Sequence, residues 1–219
     1  MRQETIENYL KTIYNLSSDK ATVVGNKVLA DKLKLRPATV TEGLRKLHDL
    51  KYVVYEKSYG SRLTASGAKL ALSIVRRHRI WETYLVRELG FGWDEVHEIA
   101  EELEHIKNDK LTNKLAALLG NPIYDPHGDP IPDEKGKMKK SNFIKLSETK
   151  TKLNYRIMGV TDHSPSFLKY LDKHQLIIGT QVKLKSIEEF DNSLVLLYQK
   201  KELLISPKAA ECIIVEEVA

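Results

Sequence analysis

Four of the seven prolines in this chain, Pro122, Pro126, Pro130 and Pro132, crowd into one short stretch together with Gly128 and Gly136. Proline has a fixed φ and no backbone N–H, so neither a helix interior nor a central strand passes through residues 121–142. The two flanks differ in period. Before the stretch, apolar residues recur at three- and four-residue spacing, as at Ile6, Tyr9, Leu10, Ile13 and Tyr14, which predicts an amphipathic helix over 3–17 closed by Ser17, Ser18 and Asp19. After it, β-rich runs at 176–187, 193–199, 202–206 and 212–218 predict short strands around one helix at 165–174. The fold expected is mainly α with a β-rich C-terminal part, the latter a small β-barrel.

Within the α-rich part, residues 26–33 and the segment from Pro37 to about Leu50 read as two short helices joined by Lys34, Leu35 and Arg36, with Pro37 at a favoured first-turn position. Residues 52–57 and 61–64 form a hairpin around Ser58, Tyr59 and Gly60. Helix, turn, helix, hairpin is the order of a winged helix-turn-helix. Further helices are expected at about 68–88, 94–108 and 110–119.

Charge separates these parts. The 219 residues carry a formal +5, but residues 20–80 hold 14 basic against 4 acidic side chains and residues 81–145 hold 9 against 13. The first excess suits a polyanion; the second repels one and attracts cations. A major groove about 12 Å wide admits one α-helix, and the helix opening at Pro37 fits that task. Val40, Leu44 and Leu47 would face the core, leaving Thr39, Thr41, Glu42, Arg45 and Lys46 outward, with Arg36 and Ala38 at the leading end where base contacts are made. Lys57, Tyr59 and Arg62 would meet the backbone as a wing. Winged helices also serve as protein–protein modules, and a basic surface can be merely solubilising.

The acidic middle holds a donor pattern. His78 and Glu82 are four residues apart, hence neighbours on one helical face. His97, Glu101, Glu104 and His105 fall within an arc of roughly 100° at about 100° per residue, with Val96, Ile99, Ala100, Leu103 and Ile106 opposite. Imidazoles and carboxylates without a nearby thiolate suit divalent manganese, iron, cobalt, nickel or zinc. A solvated acidic helix face would look similar. Asp125 and His127 in the proline-rich loop add donors, although such loops are their ordinary habitat.

No run approaches the roughly 20 apolar residues that cross a bilayer. The opening Met-Arg-Gln-Glu-Thr-Ile-Glu offers no secretion signal, and one cysteine, Cys212, forms no internal disulfide, so a cytoplasmic protein without a membrane partner is expected.

Several of these blocks resemble one known group. Glu7-Asn-Tyr-Leu-Lys-Thr-Ile-Tyr14, Pro37-Ala-Thr-Val-Thr41, Leu63-Thr-Ala-Ser-Gly67, Arg77-His-Arg-Ile-Trp-Glu82, the block from Val96 to His105 and the loop from Pro126 to Pro132 are similar, in this order, to the metal-dependent repressors of the diphtheria-toxin-repressor and manganese-transport-regulator family. The resemblance covers nearly the whole chain. It implies a winged-helix DNA-binding domain (1–72), a helical metal-binding and dimerisation domain (73–145) and a C-terminal SH3-like domain of FeoA type (146–219). It also implies a homodimer that takes a divalent metal, Mn²⁺ ahead of Fe²⁺, as corepressor and then binds palindromic operators of metal-uptake genes. Other divalent transition metals can substitute.

By position, the resemblance implies a primary metal site of Asn8, Glu101, Glu104 and His105, through which metal would pin the first helix to the middle domain. A second site would draw on His78, Glu82 and His97, with Asp125 and His127 from the loop and Asp162 or His163 from the C-terminal domain. Iron-type members have Met and Cys where this chain has Asn8 and Glu101. Manganese-type relatives usually have Asp at the place of Asn8, and some have Glu at that of Lys11. The rival readings are a constitutive DNA-binding dimer stiffened by a structural metal and a metallohydrolase; the second lacks a His-Glu-x-x-His motif and an evident nucleophile.

Overall fold

The structure is a computed structural model describing residues 1–17, 22–57, 59–139 and 141–218. Ser18 and Asp19, expected to close the first helix, and Ser58 of the hairpin lie outside the described residues. The first helix, α1 (Gln3–Leu16), packs on α2 (Asn26–Leu33) and meets α3 (Pro37–Asp49) through Tyr9, which lies against Gly43 and donates its hydroxyl to the Thr39 carbonyl at 3.4 Å. Their shared core is made by the residues whose spacing announced it: Tyr9, Leu10, Ile13, Leu29, Val40, Leu44 and Leu47 are almost wholly buried. Lys34, left-handed at φ 54°, reverses the chain between α2 and α3. Strands β1 (Val53–Glu56) and β2 (Gly60–Leu63) pair antiparallel as the hairpin, which completes the winged helix.

The long helix α4 (Ala65–Leu89) leaves the wing directly, its start capped by the Thr64 side chain accepting from the Gly67 N–H at 3.1 Å. A Cβ at Gly67 would sit 1.9 Å from the Tyr52 carbonyl oxygen, so only glycine lets α4 cross the wing this closely. Helix α4 runs unbroken from the winged helix into the helical part, where α5 (Val96–Leu103) and α6 (Asp109–Leu118) pack on it.

The helix expected over 94–108 is shorter than its period suggested. It ends at Leu103; Glu104 and His105 lie in the turn beyond, and Ile106 is exposed rather than part of the buried stripe. The cause is local: Glu104 is drawn inward by Lys11 and His78, and the Asn108 side chain caps the next helix by accepting from the Leu111 N–H at 3.0 Å.

The C-terminal part is a six-stranded antiparallel sheet in the order β3-β8-β4-β5-β6-β7. Its strands are β3 (Ile144–Lys145), β4 (Asn154–Val160), β5 (Gln181–Ile187), β6 (Leu194–Tyr198), β7 (Lys201–Ile205) and β8 (Ile213–Val218), with helices α7 (Pro165–Lys173) and α8 (Pro207–Cys212). Strand β4 and helix α8 were not anticipated. The strand expected over 176–187 begins only at Gln181, because the left-handed Gln175 and Gly179 turn the chain first. Trp93, from the loop before α5, enters this domain's core and donates its indole N–H to Asp172 at 3.0 Å, which fixes the domain against the helical part.

Candidate metal centre

Glu82 projects from α4 into a buried space and its carboxylate gathers three imidazoles. His78 Nε2 lies 3.0 Å and His97 Nδ1 3.3 Å from one oxygen; His127 Nδ1 lies 3.6 Å from the other. His78 and Glu82 share a face of α4 because they are one turn apart, while His97 comes from the start of α5.

His127 arrives through the proline-rich loop. That loop is held on β4: the Val160 N–H donates to the His127 carbonyl at 2.9 Å, and Gly128, at φ 88°, packs so that a Cβ would meet the Met158 oxygen at 2.2 Å. The β4 register shifts between Ile157 and Gly159 at this crossing. Asp125, buried in the same loop, accepts from the His127 and Asp129 N–H groups at 2.8 and 3.0 Å, and Arg79 stands 3.5 Å from its carboxylate.

Two overlapping donor groups result, His78–Glu82–His97 and Glu82–Asp125–His127, the donor atoms of each lying within 4.8 Å of one another. The imidazoles are already oriented for a cation. His127 Nε2 sits 2.8 Å from the Trp93 carbonyl and so carries the proton, leaving Nδ1 buried without a hydrogen-bond partner and facing Glu82. His78 Nδ1 lies 2.7 Å from Glu104, leaving Nε2 toward Glu82. A ring nitrogen fixed by a carbonyl or carboxylate while the other points into a polar cluster is the arrangement of metal-ligating histidines. The donor set fits a divalent cation.

The same crowding sets the protonation states. Burial alone would depress His78, but the charge of Glu82 and the hydrogen bond to Glu104 outweigh it and raise the imidazole to about 9. His127 rises to about 9 against its burial, through Glu82 and Asp125. Burial, Glu82 and Asp129 push Asp125 up to about 7, with Arg79 and His127 opposing. Burial would raise Glu82, yet the His78 charge and the imidazole hydrogen bonds hold it well below the ordinary carboxylate range.

His163 stacks on the His127 ring at 4.7 Å, with burial depressing its pKa, so it walls the cluster. Asp162 is turned elsewhere. It accepts from the Ser164 N–H at 2.9 Å at the start of α7, and neither C-terminal candidate joins the donor groups among the described residues: His163, its Nε2 3.3 Å from the Val160 carbonyl, meets the centre by stacking alone.

The expected primary site is assembled differently from its sequence expectation. Asn8 is exposed on the rim of an acidic cleft shared with Glu4, Glu98, Glu101, Glu102 and His105. Between Glu101 and Glu104 lies the Lys11 ammonium, 3.3 and 2.7 Å away, and His105 Nδ1 is committed to Glu7 at 2.8 Å. Glu7, absent from the sequence expectation, is fully buried and also meets Lys107 and Arg77. Its sequence signal was a carboxylate in an apolar helix face between Ile6 and Tyr9.

On the winged helix, Arg36, Ala38, Thr39, Glu42, Arg45 and Lys46 are exposed along α3, and Lys57, Tyr59 and Arg62 along the wing. Three of the expected DNA-contacting residues are already engaged: Glu42 pairs with Lys46 at 2.6 Å, and the hydroxyl of half-buried Thr41 receives the Asn26 amide at 3.2 Å, which ties α2 to α3. His48 Nδ1 sits 3.3 Å from the Val53 carbonyl, a packing contact between α3 and β1.

A winged helix continued by one long helix into a cluster of three imidazoles and two carboxylates defines a metalloprotein of the winged-helix class. Comparison with known proteins gives the family. Residues 1–61 match the model of the iron dependent repressor N-terminal DNA binding domain, residues 64–133 that of the iron dependent repressor metal binding and dimerisation domain, and residues 144–217 the FeoA domain. A solved structure of a manganese-dependent transcriptional repressor in complex with manganese is 31% identical, covering 97% of this chain and 100% of that one with a TM-score of 0.85.

The iron-dependent repressor IdeR of Mycobacterium tuberculosis is 32% identical over 129 residues, 59% of this chain and 56% of that protein. The diphtheria toxin repressor of Corynebacterium diphtheriae is 25% identical over 226 residues, 98% of each. The match thus spans little more than half the length of the mycobacterial relatives. This chain belongs to the iron-dependent repressor family, whose members are metal-dependent transcriptional regulators and not enzymes. Among the described residues no helix is long and apolar enough to cross a membrane.

Proposed function

We propose that this chain is a metal-dependent transcriptional repressor, acting in the cytoplasm as a homodimer on palindromic operators of metal-uptake genes. The observation that carries the reading is the convergence on Glu82: His78, His97, His127 and Asp125 meet a carboxylate of the same helix that leads out of the winged helix. These side chains would hold the ion, and His163 would shield it. The donors are nitrogen and oxygen alone, which favours Mn²⁺ and then Fe²⁺ over soft metals. When bound, the cation supplies the positive charge that protons on His78 and His127 otherwise provide.

The chain's own residues do the rest. Helix α4 carries His78 and Glu82 on the same rigid rod that begins at Gly67 against the wing. The orientation of that rod sets where α3 stands relative to a dimer mate, with residues 73–145 as the dimerising and metal-binding part and residues 1–72 as the DNA reader. In this assignment Arg36, Ala38, Thr39 and Arg45 face bases, with Thr41 and the Glu42–Lys46 pair beside them, and Lys57, Tyr59 and Arg62 touch phosphates.

Linkage supplies the test. Coupling of about 1–3 kcal/mol between the sites corresponds to roughly 5–150-fold in affinity and is reciprocal. Calorimetric titration of Mn²⁺ should therefore show tighter binding in the presence of DNA from the protein's own promoter region. Identical isotherms with and without that DNA would overturn the proposal.

A further inference from the structure

We infer that the Lys11 ammonium is a built-in cation standing where the family resemblance puts the primary metal, so that in this chain α1 is tethered by its own side chains. The inference rests on the metal-dependent reading for the second cluster, and it concerns which groups that reading can use.

The geometry is specific. Lys11 lies on α1, 10% exposed, with its ammonium 2.7 Å from Glu104, which is wholly buried, and 3.3 Å from Glu101. One of the two carboxylate charges that a divalent ion would need is thus already balanced by a covalently attached cation, which sits closer to the buried Glu104. A cation placed between the two carboxylates would meet that ammonium at contact distance, a repulsion least screened on the side of the wholly buried Glu104. Of the remaining implied donors, Asn8 offers a neutral amide from the exposed rim, and His105, its Nδ1 fixed by Glu7, has Nε2 left; one amide and one imidazole nitrogen do not replace the two carboxylates that Lys11 holds.

Glu7 and Lys11 are four residues apart on α1 and carry opposite signs. Each engages its complement on the helical domain: Glu7 takes His105, Lys107 and Arg77, and Lys11 takes Glu101 and Glu104. Both contacts form from the chain alone. Glu104 is moreover the residue that orients His78, through Nδ1 at 2.7 Å, so α1 reaches the Glu82 cluster by the path Lys11, Glu104, His78. Lys11 is a positioning residue that fixes the imidazole facing Glu82.

Equilibrium dialysis against Mn²⁺ with elemental analysis tests the assignment. In the wild type, Glu101→Ala should leave the number of Mn²⁺ per chain unchanged, whereas Glu82→Ala should lower it. Lys11→Glu should bind an additional Mn²⁺ per chain and gain more in thermal midpoint on Mn²⁺ addition than the wild type does. Lys11→Met, which frees the carboxylates without adding a charge, should gain the same ion and guards against a Lys11→Glu chain that does not fold.

Loss of one equivalent in Glu101→Ala, or no gain in either Lys11 variant, overturns the role of Lys11 while leaving the Glu82 centre intact. A wild type that binds no Mn²⁺ while the Lys11 variants do would keep Lys11 as the displacing cation and sink the proposed function. No Mn²⁺ in any of the chains sinks both.

Discussion

Replacing Glu7 by glutamine should destabilise the protein far more than an ordinary helix substitution. Its carboxylate is wholly buried and meets His105 Nδ1 at 2.8 Å, Lys107 Nζ at 2.8 Å and an Arg77 nitrogen at 3.5 Å. Burial would raise its pKa, but the hydrogen bonds from His105 and Lys107 prevail and hold it below the usual value. Glu7→Gln keeps the shape, removes the charge and turns an amide N–H toward groups that themselves donate.

The three partners suffer unequally. Lys107 is 48% exposed and recovers in water, so that arm is worth little. Arg77 is 6% and His105 16% exposed, and breaking a buried pair by removing one partner costs about 3–5 kcal/mol. Against a typical stability of about 5–15 kcal/mol this is a large fraction. Urea unfolding at pH 7 with chelator present should show a loss of about 3 kcal/mol or more, together with faster hydrogen exchange in α1. A loss below about 1 kcal/mol would mean that water already screens the network as it does surface pairs, and the reasoning would be wrong.

Other substitutions probe the metal loop, the wing and the titrating groups. Gly128→Ala places a Cβ against the Met158 oxygen at a positive φ, so the loop must retreat and carry His127 from Glu82. Mn²⁺ affinity should fall about 10–100-fold; unchanged affinity would remove His127 from the centre. Arg62→Ala should weaken DNA binding on every sequence and reduce the salt slope by about 1, and an unaltered slope would deny the wing its phosphate contact. Folded-state pKa values raised to about 9 in His78 and His127 stabilise the chelated protein fully below about pH 6.5, and that contribution disappears as pH rises through 9. Thermal midpoints measured in chelator should therefore fall between pH 6.5 and 9, by an amount reduced in His78→Gln; a flat profile would show those imidazoles to be neutral.

The winged helix was legible because its determinants are local. The spacing of Val40, Leu44 and Leu47, Pro37 at a helix start and the hairpin flanks around Tyr59 each specify their element without help from elsewhere. The donors on α4 and α5 were legible as residue types for the same reason. Their grouping comes from the family resemblance, which puts His78, Glu82 and His97 with Asp125 and His127, the residues that the structure brings together; a helical wheel by itself carries no information about what another helix brings to the same face. Glu104 looked outward on its wheel; Lys11 and His78 draw it in and end the helix. Glu7 is not legible in the sequence, where a carboxylate beside Ile6 and Tyr9 reads as a flaw in an apolar face until Arg77 and His105 are seen against it. Strand β4 does alternate, with buried Tyr155 and Ile157 flanking Arg156, and its place is settled by pairing with β8 and β5 on either side.

In the proposed function, a divalent cation at the Glu82 cluster governs DNA binding. Fluorescence anisotropy on DNA from the protein's own promoter region, first in chelator and then with Mn²⁺, Fe²⁺, Zn²⁺ or Co²⁺ in turn, measures it directly. Association should be weak and salt-sensitive in chelator and should tighten by roughly 5–150-fold with Mn²⁺ or Fe²⁺, a tightening that Glu82→Ala abolishes. Tight binding that chelator leaves unchanged would contradict the proposed function and reduce the cluster to a structural element of a constitutive DNA-binding protein.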